Sequence, residues 1–133
     1  MARIDRFEDI QAWRDARTFV KEVYPFCRNI ESKRDYSLAD QMKRASVSIM
    51  ANIAEGFAKK SPKEFGHYLF IAKASAAEVQ SHLYVALDQA YLSQSEFSTL
   101  FTQLETIQKR LSNFIKYLKT CPPPKTQQTQ QTQ

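Results

Sequence analysis

Apolar residues recur along most of this sequence at alternating steps of three and four positions. The pattern is longest in two C-terminal segments: Phe65, Leu69, Ala72, Ala76, Val79, Leu83, Ala86 and Ala90, then Phe97, Leu100, Leu104, Ile107, Leu111, Phe114 and Leu118. Because these steps approximate one helical turn, each series forms an apolar stripe along one side of a helix. Such stripes are the seams along which the helices of a bundle pack.

Two further helices are predicted in the N-terminal half. Their apolar positions are Ala12, Ala16, Phe19, Val23, Phe26 and Ile30 in the first, and Met42, Ile49, Ile53 and Phe57 in the second. We therefore predict helices near 9–29, 37–58, 62–90 and 94–119. Pro25 falls inside the first helix, where it removes one backbone donor and predicts a kink or an early end.

Capping signals mark where the last two helices begin. The stretch "SPKE" at 61–64 predicts a capping box with proline at the first helical position, and "SQSE" at 93–96 repeats the pattern. The connections between the predicted helices are short, which favours antiparallel neighbours. The sequence thus predicts an all-α, antiparallel up-down-up-down four-helix bundle over residues 1–119. Residues 120–133, with "CPPPKTQQTQQTQ" from Cys121, predict a disordered low-complexity tail.

Composition agrees with a single globular domain. The chain has 133 residues, 43% of them hydrophobic, and a formal net charge of +5. It lacks a run of about 18 apolar residues and an N-terminal apolar segment, so neither a membrane span nor a secretory signal is expected. Two distant cysteines, Cys27 and Cys121, are expected to be free thiols. We accordingly expect a cytoplasmic protein.

A polar stripe follows the second helix opposite its apolar side, and a similar line follows the third. A solvated face is the ordinary explanation, but small residues such as Ser48 and Asn52 are less typical of such a face than long Lys, Glu or Gln. We therefore predict a structural network at a helix–helix or subunit interface. Its candidate members are Arg44, Ser48, Asn52, Glu55, Ser75 and Glu78.

The sequence gives little support for an enzyme. Glu64 and His67 have the Glu-x-x-His spacing of di-iron bundles, but those sites need two such motifs and two further carboxylates. Neither cysteine has a histidine nearby in sequence, and the two glycines cannot form a phosphate-binding loop. We expect no catalytic residue, metal or cofactor.

Several motifs resemble one bacterial family. The stretches "QMKRASVSI", "ANIAEGF", "SPKEFGHYLFIAKASAAEV" and "AYLS", with Ala12-Trp13, are similar to the four-helix-bundle proteins encoded in 23S rRNA intervening sequences. The most specific part is Ser48-Ile49 followed by Asn52 to Gly56; members often have Pro-Ser where this chain has Met50-Ala51. The resemblance implies a homo-oligomer, with a pentamer expected, and extends to the accessory variability proteins of diversity-generating retroelements, which are basic pentamers that bind nucleic acid and a reverse transcriptase.

The predicted topology collects basic charge at one end of the bundle. The chain start, the turn between helices 2 and 3 and the end of helix 4 would meet there, bringing eight basic residues against four acidic ones. The basic residues are Arg3, Arg6, Lys59, Lys60, Lys63, Lys116, Lys119 and Lys125. Part of this charge has an ordinary structural explanation, because basic residues near a helix C-terminus stabilise the helix dipole. Repeated around an oligomer, the same end would attract a polyanion.

The aromatic residues of this region, Tyr68, Phe70 and Tyr117, together with His67, are candidates for stacking on unpaired bases, although packing is their more common role. The sequence therefore predicts a non-enzymatic homo-oligomer that binds RNA or DNA through its basic end. The alternative is a protein-interaction scaffold, for instance an accessory factor for a reverse transcriptase or an RNA-processing partner, without direct nucleic-acid binding.

Overall fold

A computed structural model describes residues 3–122. A single 3₁₀ turn, Phe7–Asp9, precedes four helices: α1 (Gln11–Ser32), α2 (Tyr36–Ala58), α3 (Pro62–Asp88) and α4 (Gln94–Lys119). The predicted all-α fold is confirmed for this part of the chain. The predicted tail lies outside the described residues from position 123 onward. None of the described helices is long and apolar enough to cross a membrane.

Contacts between the helices define an antiparallel ring. Each helix packs against its neighbours in sequence, and α1 closes the ring against α4. Ser48 lies against Ser75 and Gly56 against Tyr68, so position numbers rise along α2 as they fall along α3. The α1–α4 pair behaves likewise: Asp15 meets Arg110, whereas Glu22 meets Gln103. These opposed registers are those of an up-down-up-down bundle.

The apolar stripes meet in one central core. Nearly all of the predicted core positions are buried; Phe26 and Phe57 lie at its edge, half-buried, and the exposed Ala90 lies beyond α3. The aliphatic side chains at the centre, such as Ile49, Leu83 and Leu104, are fully buried. At ~25 cal/mol per Å² of apolar surface, burial of these side chains is the main force holding the four helices together.

Several helix ends differ from the predictions by one to three residues, and two of these differences have a clear physical cause. Pro25 does not end α1, which continues to Ser32. Pro25 lies on the exposed side, and the turn that follows it buries Cys27 and Ile30, so tertiary packing compensates for the lost backbone hydrogen bond. At the other end, α3 stops at Asp88 because Ala90 adopts a left-handed backbone (φ 60°).

The chain reversal after α3 is held by hydrogen bonds that the sequence did not suggest. The Tyr91 amide donates to the Ala86 carbonyl at 2.8 Å, as in a Schellman-type helix end. The Tyr91 hydroxyl donates to the Asp35 carboxylate at 3.1 Å, and that carboxylate also caps α2 by accepting from the Leu38 amide. Burial and the Asp35 bond raise the pKa of Tyr91.

Both predicted capping serines are N-caps. Ser93 and Glu96 form the complete capping box at the start of α4. Ser61 accepts from the Glu64 amide at 3.4 Å, but the reciprocal bond, in which the Glu64 carboxylate would accept from the Ser61 amide, is not formed. The α3 box is therefore half-formed, and the Glu64 carboxylate lies exposed beside the basic end of the bundle.

Candidate nucleic-acid interface

Three separate segments meet at the end of the bundle where basic charge was predicted. They enclose an open groove of about 560 Å³, lined by Arg3 from the chain start, Lys60 and Ser61 from the α2–α3 connection, and Tyr117 and Leu118 from the end of α4. The antiparallel topology brings these segments together, because each lies where a helix begins or ends.

The arginines of this end are engaged by neighbouring carboxylates. Arg3 lies 2.8 Å from Asp5, and Arg6 lies 2.7 Å from Glu8. The pKa of Glu8 is lowered, first by a backbone hydrogen bond and then by Arg6. Both ion pairs are exposed to solvent, where screening by water leaves such pairs little effect on stability. They reduce the charge that the two arginines offer to a ligand.

The lysines of this end differ from the arginines. All of them are exposed, and within residues 3–122 none forms an ion pair: Lys59, Lys60, Lys63, Lys116 and Lys119. Lys59 lies over the Tyr68 ring at 5.5 Å, which orients its ammonium without neutralising it. We call these five residues the lysine cluster. Lys125, also predicted here, lies outside the described residues.

The groove floor is aromatic. Phe65 lies edge-on to Phe57 at 6.0 Å and to Phe114 at 5.0 Å between ring centroids. Tyr117 borders the groove and is 42% exposed. A hydrogen bond involving Cys121 raises the pKa of the Tyr117 phenol, and a phenol is neutral near pH 7 even without that shift. A partly exposed neutral ring beside cations suits a stacked base and its phosphate.

The other aromatic candidates lie apart from the groove. Phe70 is 62% exposed on the side of α3, and His67 is also exposed. Tyr68 is half-buried between Lys59 and Gly56, where it packs α3 against α2. None of the three lines the groove, so Tyr117 is the candidate that the geometry favours for stacking.

The predicted polar network is smaller than expected. Ser48 and Ser75 hydroxyls lie 3.0 Å apart across the α2–α3 seam, and the Asn52 amide donates to the Ser48 hydroxyl at 2.9 Å and to the Ser48 carbonyl at 2.8 Å. All three are half-buried. They join the two helices where small side chains allow close approach.

The remaining network candidates face elsewhere. Arg44 pairs with Asp40 one turn back on its own helix at 2.9 Å, and Glu78 pairs with His82 at 3.2 Å. Glu55 is exposed and makes no side-chain hydrogen bond or ion pair among the described residues. Partners four residues away on the same helix are always within reach, which explains why they replaced the cross-helix partners that were predicted.

The predictions from the sequence did not include an exposed apolar line on α3. Its members are Phe70, Ala74, Ala77 and Val85, with Ser81 among them, and all are exposed. On α2, Val47, Ala51 and Ala58 are exposed as well. The signal was the regular spacing of small residues outside the core stripe. We call the α3 residues the α3 apolar line.

Reactive groups are sparse in the described structure. Burial raises the pKa of the Cys27 thiol to about 11, so it is a poor nucleophile near neutral pH. Across residues 3–122, no three His, Cys, Asp or Glu side chains are grouped so that they could hold a metal ion. Glu64 and His67, which form the Glu-x-x-His motif, therefore have no further metal-ligating side chain grouped with them in this part of the chain.

These features define a class of protein, the antiparallel four-helix bundle with one basic end. Residues 8–113 match the model of the 23S rRNA-intervening sequence protein family, and the chain belongs to this family. A crystal structure from Bacteroides thetaiotaomicron, of a protein with unknown function from the S23 ribosomal protein family, has the same fold. The TM-score is 0.71 at 23% identity, covering 79% of this chain and 98% of that one. Comparison with curated proteins gave no match.

Proposed function

We propose that this protein is a non-enzymatic homo-oligomer that binds nucleic acid through the lysine cluster and the adjoining groove. The observation that carries the proposal is the exposed, unpaired state of the five lysines at the end of the bundle where Lys60 lines an aromatic groove. Cations that are not paired with carboxylates attract phosphates without first losing an ion pair, and a neighbouring ring accepts a base. The family name refers to a 23S rRNA intervening sequence, which makes ribosomal RNA the first ligand to test.

Binding is expected to fall steeply with salt and to depend on the lysines. Anisotropy with labelled rRNA fragments and matched DNA, measured across a salt series, tests this. For Lys59→Ala/Lys60→Ala/Lys63→Ala we expect affinity to fall roughly tenfold or more and the salt slope to become shallower by about 2 to 3.

The Lys→Arg triple variant at the same positions is the matched control, because it keeps the charge and should keep binding. Circular dichroism should show that both variants retain the helical fold. If the wild-type protein fails to bind any of these ligands at low salt, or the alanine variant binds equally well, the lysine cluster is not a nucleic-acid site.

Self-association is the second part of the proposal, and the α3 apolar line supports it. Exposed Phe and Val side chains flanked by alanines allow another helix to approach closely, which suits a second copy of this chain. The same surface is the observation that favours the alternative function, a scaffold for a different protein. An assembly that repeats the lysine cluster would increase binding to a polyanion through multivalency.

Two charges placed on the α3 apolar line are expected to break the assembly. Light scattering should give the wild type a mass that is a multiple of 15.4 kDa, whereas Ala74→Glu/Ala77→Glu should have the monomer mass with unchanged helicity. Ser98→Glu/Thr102→Glu, on exposed positions of α4, is the control that should still assemble. A wild type that is monomeric at every concentration would refute self-association and favour the scaffold.

A further inference from the structure

One exposed arc of α1 is purely basic among its charged residues. Arg14, Arg17, Lys21 and Arg28 are all exposed, and at about 100° per residue they fall within an arc of roughly 60°. At ~1.5 Å per residue the series spans about 21 Å of helix. We call these four residues the α1 basic stripe. It lies along the side of the bundle rather than at its end.

The acids of α1 are directed away from this stripe. Asp15 pairs with Arg110 of α4 at 2.8 Å, and Glu22 accepts a hydrogen bond from Gln103 of the same helix. Glu31, on the opposite flank, pairs with Lys43 of α2 at 3.5 Å. Every acid within α1 thus bonds to a neighbouring helix. By sequence α1 has four basic and three acidic residues, but the fold separates them.

Within the described residues the stripe itself has little neutralisation. Arg14 donates to the Glu8 carbonyl at 2.7 Å and is 3.9 Å from the Asp9 carboxylate. Arg17 lies over the Trp13 ring at 5.8 Å. Lys21 and Arg28 form no ion pair in this part of the chain. Arg17, Lys21 and Arg28 therefore present three positive charges to solvent that no described ion pair neutralises. The net charge of α1, which is only +1, does not indicate this.

We propose that the α1 basic stripe is a second phosphate-binding surface that contacts the backbone of a nucleic-acid duplex. The proposal rests on the proposed nucleic-acid function and extends it from the bundle end to the bundle side. A straight row of cations about 21 Å long can lie along several phosphates of a duplex strand, which follow one another about 3.4 Å apart along the axis. The arc contains no aromatic ring for unpaired bases, whereas the groove at the bundle end does. The surface of an anionic lipid bilayer is a less suitable ligand for the stripe, because the arc contains no large apolar residue that could insert into the bilayer.

The test compares a duplex with a single strand of the same length by anisotropy across a salt series. The variant Arg17→Gln/Lys21→Gln/Arg28→Gln removes three of the four positive charges of the stripe. It keeps Arg14, whose side chain donates to the Glu8 carbonyl. We expect duplex affinity to fall about tenfold and the duplex salt slope to become shallower by roughly 2 to 3, with a smaller effect on the single strand. Lys33→Gln/Arg44→Gln/Lys109→Gln removes the same charge from other exposed positions and should change duplex binding far less.

The outcomes separate the two proposals. If the wild type binds and the lysine-cluster variant is weakened while the stripe variant behaves like the charge-matched control, the stripe proposal is wrong and the proposed function stands. If the wild type binds neither ligand, both are wrong. Phosphatidylserine vesicles provide the last comparison: stripe-dependent binding to vesicles, with duplex binding unchanged in the stripe variant, would overturn the nucleic-acid assignment.

Discussion

Gly56→Ala is expected to destabilise the protein, whereas Gly66→Ala is expected to stabilise it. A β-carbon at position 56 would lie 2.6 Å from the Tyr68 β-carbon and 2.9 Å from a ring carbon of Phe65. The Tyr68 β-carbon is fixed to the α3 backbone and cannot swing aside, so α2 and α3 would have to separate. Overpacking of this kind costs about 1 to 3 kcal/mol, which exceeds the ~1 kcal/mol that alanine gains over glycine within a helix.

Gly66 provides the matched control for this prediction. It also lies within a helix, but a β-carbon there would meet nothing within 4 Å. Only the propensity gain remains, so we expect Gly66→Ala to raise the free energy of unfolding by roughly 0.5 to 1 kcal/mol. Guanidinium denaturation of the three proteins measures both effects. Equal or greater stability of Gly56→Ala would mean that α2 and α3 do not approach as closely as described.

Phe19→Ala is expected to have the largest effect on stability of any substitution considered. Phe19 is the largest of the fully buried side chains, with 1% of its surface exposed. Truncation removes its apolar contacts and leaves a cavity between the helices, which costs about 3 to 5 kcal/mol. Because a domain of this size is stable by only ~5 to 15 kcal/mol, the variant should unfold at much lower denaturant.

Tyr36→Ala is the control, because Tyr36 is 62% exposed at the start of α2. Its free energy of unfolding should change by no more than ~0.5 kcal/mol. Equilibrium denaturation followed by circular dichroism compares the two variants with the wild type. A cost below about 1 kcal/mol for Phe19→Ala would contradict the packing of α1 into the core.

The two basic surfaces suggest a division of roles within one bundle. The lysine cluster adjoins an aromatic groove, whereas the α1 basic stripe has only cations. A groove of that kind favours unpaired nucleotides, and a straight cationic row favours a duplex backbone. An RNA with a helical stem and an unpaired end would present both features. The binding experiments on the two triple variants therefore address different parts of one ligand.

The sequence determined the helices and the core because both depend on local periodicity. Residues three or four apart share a helix side wherever the helix is placed, so the stripes of α3 and α4 could be identified directly. A second local pattern, the capping-box motif, identified Ser61 and Ser93 as N-caps. Topology followed from short connections, and it correctly placed Arg3, Lys60 and Tyr117 around one end of the bundle.

Only the tertiary structure decided which side chains meet across the seams. Helix rotation and register set those contacts, and neither is encoded in the local pattern; thus Ser48 reaches Ser75, while Arg44 bonds within its own helix. Tertiary packing also explains why α1 continues beyond Pro25, because burial of the following turn compensates for one lost backbone hydrogen bond. The fold also bonded the acids of α1 to neighbouring helices and left its cations exposed. Charge counted along the chain cannot show that separation, since it depends on which neighbour each carboxylate reaches.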